Sequence, residues 1–275
     1  MKINFSKLKI VDVLLLLLFN SACSTVIRPE VYQSETAVDK VFAHQQYDKV
    51  LKEFVNEDGR VNYSKLKKER VELDQYYAVI ATYSPDSHPE LFPTKSHELA
   101  YWINAYNAAT ITTVLRYYPI DSLSDVEPPS LAFFFPELSG FFFFQKQVFG
   151  GKEMNLYSLE NSLIRERYKE PRIHFALNCA SIGCPRLPRY AFEGDKLEEQ
   201  LEYETKKFFS EQRNFSIDRK NKLIKLSPIL DWFSEDFGDI REYLKSYVSL
   251  EQKRYLDDLA YQLHYVDYDW GLNSQ

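Results

Sequence analysis

Residues 172–185 read Arg-Ile-His-Phe-Ala-Leu-Asn-Cys-Ala-Ser-Ile-Gly-Cys-Pro. His174 stands five residues before Cys179, and Cys184 follows five residues after it. A thiol attacks as its thiolate, and an adjacent imidazole or a helix N-terminus lowers its pKa from about 8.5. Residues 171–177 are expected to be a short extended run. A turn into a helix near Cys179 would then put the thiol at such a terminus. On an ideal strand, residues five apart lie on opposite faces and about 16 Å apart. The chain must therefore turn sharply around Leu177–Cys179 for His174 and Cys179 to meet, and Gly183 and Pro185 mark a turn just beyond. Other readings stay open. Cys179 and Cys184 would form a disulfide in an oxidising compartment. A buried Cys179 would be inert core. His174, Cys179 and Cys184 match no common zinc spacing and lack an evident fourth ligand, so no metal is expected.

Around this stretch the chain alternates helical periodicity with turn signals. Leu66, Leu73, Tyr77 and Ile80 predict an amphipathic helix over 65–81. After the loop Pro85–Pro89, Ser96 is read as the cap of a helix lined by Leu99, Ile103, Tyr106, Thr110, Val114 and Tyr117, ended by Pro119. Phe133–Phe135 and Phe141–Phe144 are a membrane-touching patch or, as we favour from the burial habit of Phe, core. Helices are expected over 155–168 and from a cap at Asp195 through Leu197, Leu201 and Phe208. Phe215–Ile217 and Leu223–Leu226 read as a hairpin, and Ser227-Pro228 opens a last helical region.

The first 23 residues read as an address. Lys2, Lys7 and Lys9 precede the apolar run 13–19 and Ser21-Ala22-Cys23. This is similar to a bacterial lipoprotein signal, with residues 1–22 removed, Cys23 lipidated and 23–37 a tether. The 275 residues are 45% hydrophobic and 27% charged, an ordinary globular composition. A net charge of −6 excludes a nucleic-acid partner bound through a basic surface, and no phosphate-binding glycine loop is present.

His174–Cys179 with Gly183-Cys184-Pro185 resembles the signature of domain-of-unknown-function family 547. Four further stretches agree in order over about residues 55–273: Ala100–Ala108, Leu156–Arg165, Asp231–Gly238 and Tyr268–Asn273. The resemblance implies a papain-like cysteine-protease domain behind an N-terminal helical subdomain. It also implies a Cys-His-Glu triad, here Cys179 as nucleophile, His174 as base and Glu160 as the carboxylate that orients it.

The expected architecture is thus α+β, with a helical subdomain at 38–119 packed on a papain-like domain at 120–275. Asn104 and Asn107 share one helix side and are candidates, with Asn178, for substrate or oxyanion contacts, although bracing of the fold is favoured for the helical pair. His97 and His264 are alternative bases. The expected function is a cofactor-free, lipid-anchored cell-envelope hydrolase acting on peptide or amide bonds. The alternatives are a non-enzymatic lipoprotein binding a partner through an aromatic-rich cleft, and a thiol–disulfide protein using Cys179 and Cys184. A free Cys179 beside His174 would favour the hydrolase, a bond to Cys184 redox or structural use, and a buried distant thiol the binding protein.

Overall fold

The computed structural model describes residues 24–29, 41–132, 135–136 and 138–275. The signal segment, Cys23, most of the expected tether, Phe133 and Phe134 lie outside the described residues. The architecture is α+β with two small three-stranded sheets. Strand β1 (Thr25–Ile27) is followed by helices α1 (Gln45–Phe54), α2 (Tyr63–Lys68), α3 (Val71–Thr82) and α4 (Lys95–Tyr117). Strands β2 (Gln145–Phe149) and β3 (Lys152–Asn155) complete the first sheet. Helix α5 (Leu197–Ser210) leads into β4 (Phe215–Asp218), β5 (Leu223–Leu226), helix α6 (Leu250–Asp257) and β6 (Gln262–Tyr265), which form the second.

Helix α4 is the spine. Its N-cap is Thr94, which accepts from the His97 amide, two residues before Ser96, where the cap was expected. Every residue from Leu99 to Leu115 is buried, so the helix is covered on all sides and the predicted stripe understates it. The helix expected over 65–81 is two, α2 and α3, with a break at Glu69-Arg70. Leu66, Leu73, Tyr77 and Ile80 are all buried nonetheless. The seven-residue step from Leu66 to Leu73 is met by two short helices that share a core face.

The hairpin pairs as read, with Phe215 opposite Leu226 and Ile217 opposite Ile224. A strand that periodicity did not suggest, β6, then adds in parallel to β5. Thr25–Ile27, inside the expected tether, pairs in parallel with β2 from Gln145 to Gln147. Phe141 and Phe144 are buried, which is the core reading of the second Phe run.

Two hydrophobic clusters share the molecule. The larger surrounds α4 and draws on residues from Ile27 to Leu201, with Leu272. The smaller holds Phe208, Phe209, Ile224, Leu230, Leu244 and Leu256. Residues 171–177, expected to be extended, begin as the 3₁₀ turn Pro171–Phe175. Pro171 starts it with its φ already set, and the Glu170 side chain accepts from the Arg172 amide. Ile173 then enters the larger cluster and Phe175 the smaller, leaving His174 between them.

Candidate functional site

His174 is almost wholly enclosed, its side chain 1% exposed, with its ring stacked 4.0 Å from the Phe233 ring centroid. Its Nε2 lies 2.7 Å from Asp236 Oδ2. Asp236 also takes two bonds from Arg165, at 2.6 and 3.0 Å. Burial works against the Asp236 charge, but the bonds from His174 and Arg165 outweigh it and hold the carboxyl well below the usual range. Burial lowers the His174 pKa despite the Asp236 bond that raises it, which favours the neutral ring. A neutral ring beside a carboxylate donates from Nε2, which leaves Nδ1 as the basic nitrogen.

That nitrogen faces Glu160, whose Oε1 is 3.9 Å away. Glu160 sits on the π-helical stretch Leu159–Arg165, entered from a turn that Asn155 caps. Single π turns inside helices often mark functional sites. Its Oε2 accepts from Tyr106 at 3.2 Å, and its side chain is 16% exposed. Burial raises its pKa to about 7, against the pull of Tyr106 and Arg165. The expected orienting carboxylate is therefore near the ring but outside hydrogen-bonding distance, and Asp236 occupies the bonded position. Glu160 instead sits 3.9 Å from the other ring nitrogen, with its carboxyl raised toward neutral pH by burial.

Cys179 and Cys184 form a disulfide, with Cα atoms 6.0 Å apart. No helix starts at Cys179, so the expected helix terminus beside the thiol is absent; the chain turns there by left-handed Ala180, at φ +64°. The Ala180 amide is held by Asn178 Oδ1 at 2.9 Å. The Cys179 sulfur lies 3.1 Å from Ser181 Oγ and 3.2 Å from the Tyr268 hydroxyl. The Cys179 amide donates to the Cys184 sulfur at 2.8 Å. No hydrogen bond joins His174 to Cys179 in this disulfide form. Burial raises the Tyr268 pKa, and the Glu160 charge adds to that rise.

Asn107 and Asn178 brace this loop, and Asn104 braces the chain at Phe192. Asn107 donates to Ala176 O at 3.0 Å and accepts from the Asn178 amide at 2.8 Å. Asn104 makes the same pair of bonds to Phe192, at 2.8 and 2.9 Å. Asn178 is committed to Pro185 O and the Ala180 amide. The C-terminal stretch laces onto the other side: Ile182 and Gly183 donate to Gly271 O and Asp269 O. His264 is exposed on β6, and His97 bonds Thr94 in the first turn of α4, so neither of them belongs to the site.

Asp236, Arg165, Tyr268 and Ser181 are the site residues that spacing did not single out. Arg165, Asp236 and Tyr268 lie within the motif stretches quoted above, and that was the available signal. Among the described residues, no group of three His, Cys, Asp or Glu side chains is placed to hold a metal ion. None of the described helices is long and apolar enough to cross a membrane.

Residues 92–209 match the family model described as "Protein of unknown function, DUF547", which supports assignment of this segment to that domain family. The match includes Asn104, Asn107, Glu160, His174, Cys179 and Cys184, and ends before Asp236 and Tyr268. Neither the curated proteins nor the solved structures contain a match to the chain.

Proposed function

We propose that the protein is a cysteine hydrolase of the bacterial cell envelope that cleaves peptide or amide bonds with Cys179, held at a membrane by lipid on Cys23. The papain-like arrangement belongs to the same proposal. One observation carries it: a neutral, enclosed imidazole whose Nε2 is fixed by an ionised Asp236 and whose Nδ1 faces Glu160, on the segment that leads into Cys179. Such a pair supplies a base near neutral pH and an orienting group behind it.

The disulfide is the resting form in this proposal. A dithiol reductant opens it, becoming a disulfide itself and leaving two thiols. His174 then takes the Cys179 proton as the sulfur bonds to the substrate carbonyl carbon. The same proton goes to the leaving amine as the C–N bond breaks. Water, deprotonated by the imidazole, cleaves the thioester and restores the thiol. Reduction also frees the Cys179 amide from the Cys184 sulfur, giving an oxyanion donor at the nucleophile itself. Asn107 and Asn178 hold the loop and Asn104 holds Phe192, rather than the oxyanion, because their polar atoms are already spent on backbone.

A second reading has its own support. The Cys179–Cys184 bond, with Ser181 and Tyr268 packed on it, is the arrangement that the sequence criterion ties to a structural or thiol–disulfide role. A peptidyl acyloxymethyl ketone separates the two. The reduced protein should gain the adduct mass on Cys179, and Cys179→Ser or His174→Ala should not. No adduct, or equal adducts on Cys179 and Cys184, would favour the second reading.

A further inference from the structure

A cavity of about 440 Å³ opens against the far wall of the cysteine loop, between residues 57–60 and residues 181–186. Its lining includes Ser181, Cys184, Arg60, Lys207 and Arg213. The wall is fixed. Gly59 adopts φ +77°, and a Cβ there would lie 2.6 Å from Leu187 N, so only glycine lets this loop close on residues 186–187. Arg186 is tied to the buried Glu204 at 2.8 and 2.9 Å. Arg213 spends its guanidinium on Glu211 and on the carbonyls of Ile182 and Cys184.

Arg60 and Lys207 differ from these. Both are half-buried on the cavity, and neither side chain has an ion-pair or hydrogen-bond partner among the described residues. The anions at the rim do not serve them: Glu57 pairs with Arg189, and Asp58 is exposed to water. Arg60 and Lys207 thus both line one concave site without a carboxylate partner among the described residues, which leaves their charge available to an anionic ligand. Arg60 offers a planar fork suited to two oxygens, and Lys207 a point charge.

We infer that this cavity receives the carboxylate of the substrate, which makes the substrate a peptide or amide ending in a free carboxylate near the bond that Cys179 attacks. The inference rests on the hydrolase reading for its placement, since Cys184 forms the cavity wall and bonds Cys179. The pocket itself needs no thiol chemistry.

The test is binding of acetyl-dialanine and of its C-terminal amide to the oxidised full chain, measured by calorimetry. The acid should bind about tenfold more tightly than the amide, the worth of one charge-assisted contact. Arg60→Gln and Lys207→Gln should each lower that preference, and the double variant should abolish it. Neither side chain has a hydrogen bond or ion pair to lose among the described residues, so unchanged melting curves should confirm that both variants fold. Equal affinities for acid and amide would overturn the inference, as would a preference that survives in the double variant. Binding of inorganic phosphate without binding of the acid would also overturn it, marking a simple anion site. Acid preference in a protein that forms no acyloxymethyl ketone adduct when reduced would uphold the pocket and sink the hydrolase reading instead.

Discussion

Replacing Asn107 by alanine removes the brace that holds the cysteine loop on the central helix. The Asn107 side chain makes two buried bonds, to Ala176 O at 3.0 Å and from the Asn178 amide at 2.8 Å. Both partners are backbone groups in buried residues, so water cannot readily replace the amide. An orphaned buried backbone group costs about 1–3 kcal/mol, so two cost about 2–6 kcal/mol. At about 2–4 °C per kcal/mol for a domain of this size, thermal unfolding followed by circular dichroism should shift down by about 4–24 °C. Asn107→Asp keeps the acceptor for the Asn178 amide, loses the donor to Ala176 O and buries a charge beside that carbonyl, so it should also be destabilised. Leu177 and Asn178 should lose amide-exchange protection in Asn107→Ala before residues of β4 and β5 do. A melting point within 1 °C of wild type would refute the bracing account and return Asn107 to the list of substrate-contacting candidates.

Three further outcomes follow from the same structure. Burial raises the Glu160 pKa from 4.5 to about 7. A raised carboxyl pKa means stability present in full below about 4.5 and lost as the pH rises through about 7. Wild type should therefore lose up to about 3 kcal/mol relative to Glu160→Gln between pH 4.5 and 7, read by urea unfolding; a pH-independent difference would contradict the burial argument. Asp236→Asn should weaken the hold on Arg165 and His174 and lower the His174 pKa further, because the Asp236 charge is what raises it. Titration of the ring by NMR checks this, and an upward shift would contradict it. Cys23→Ser should leave the precursor unprocessed or release the protein to the soluble fraction of a bacterial host; mature protein with an unmodified Cys23 would remove the lipid anchor from the proposal.

Much of the fold was legible where local signals carry it. The hairpin announced itself through two alternating runs around a polar turn, and α4 through its long apolar repeat ended by Pro119. The 3₁₀ turn at Pro171–Phe175 was misread because Ile173, His174 and Phe175 look like an apolar strand. Ile173 and Phe175 each enter a different core, and His174 is enclosed between them against Asp236. β6 was missed because it is an edge strand with exposed Gln262 and His264, so its pattern lacks a full core face.

The site divides the same way. His174, Cys179 and Cys184 are neighbours in sequence and could be named from it. Asp236 is 62 residues from His174, and Tyr268 is 89 from Cys179, so only folding brings them together. The family resemblance implied that Glu160 holds the place beside the imidazole where Asp236 makes the bond. Nothing in residue order distinguishes two carboxylates that approach the same ring from different helices.

The central claim is that His174 makes Cys179 a better nucleophile than Cys184 once the disulfide is reduced. The pH dependence of iodoacetamide labelling, with each cysteine followed separately by peptide mass spectrometry, tests it most directly. The account predicts that near pH 6 Cys179 is alkylated faster than Cys184, with a midpoint well below the about 8.5 of a free thiol, and that His174→Ala removes most of the difference in a folded protein. Equal rates for the two cysteines, or a Cys179 rate indifferent to His174, would contradict it.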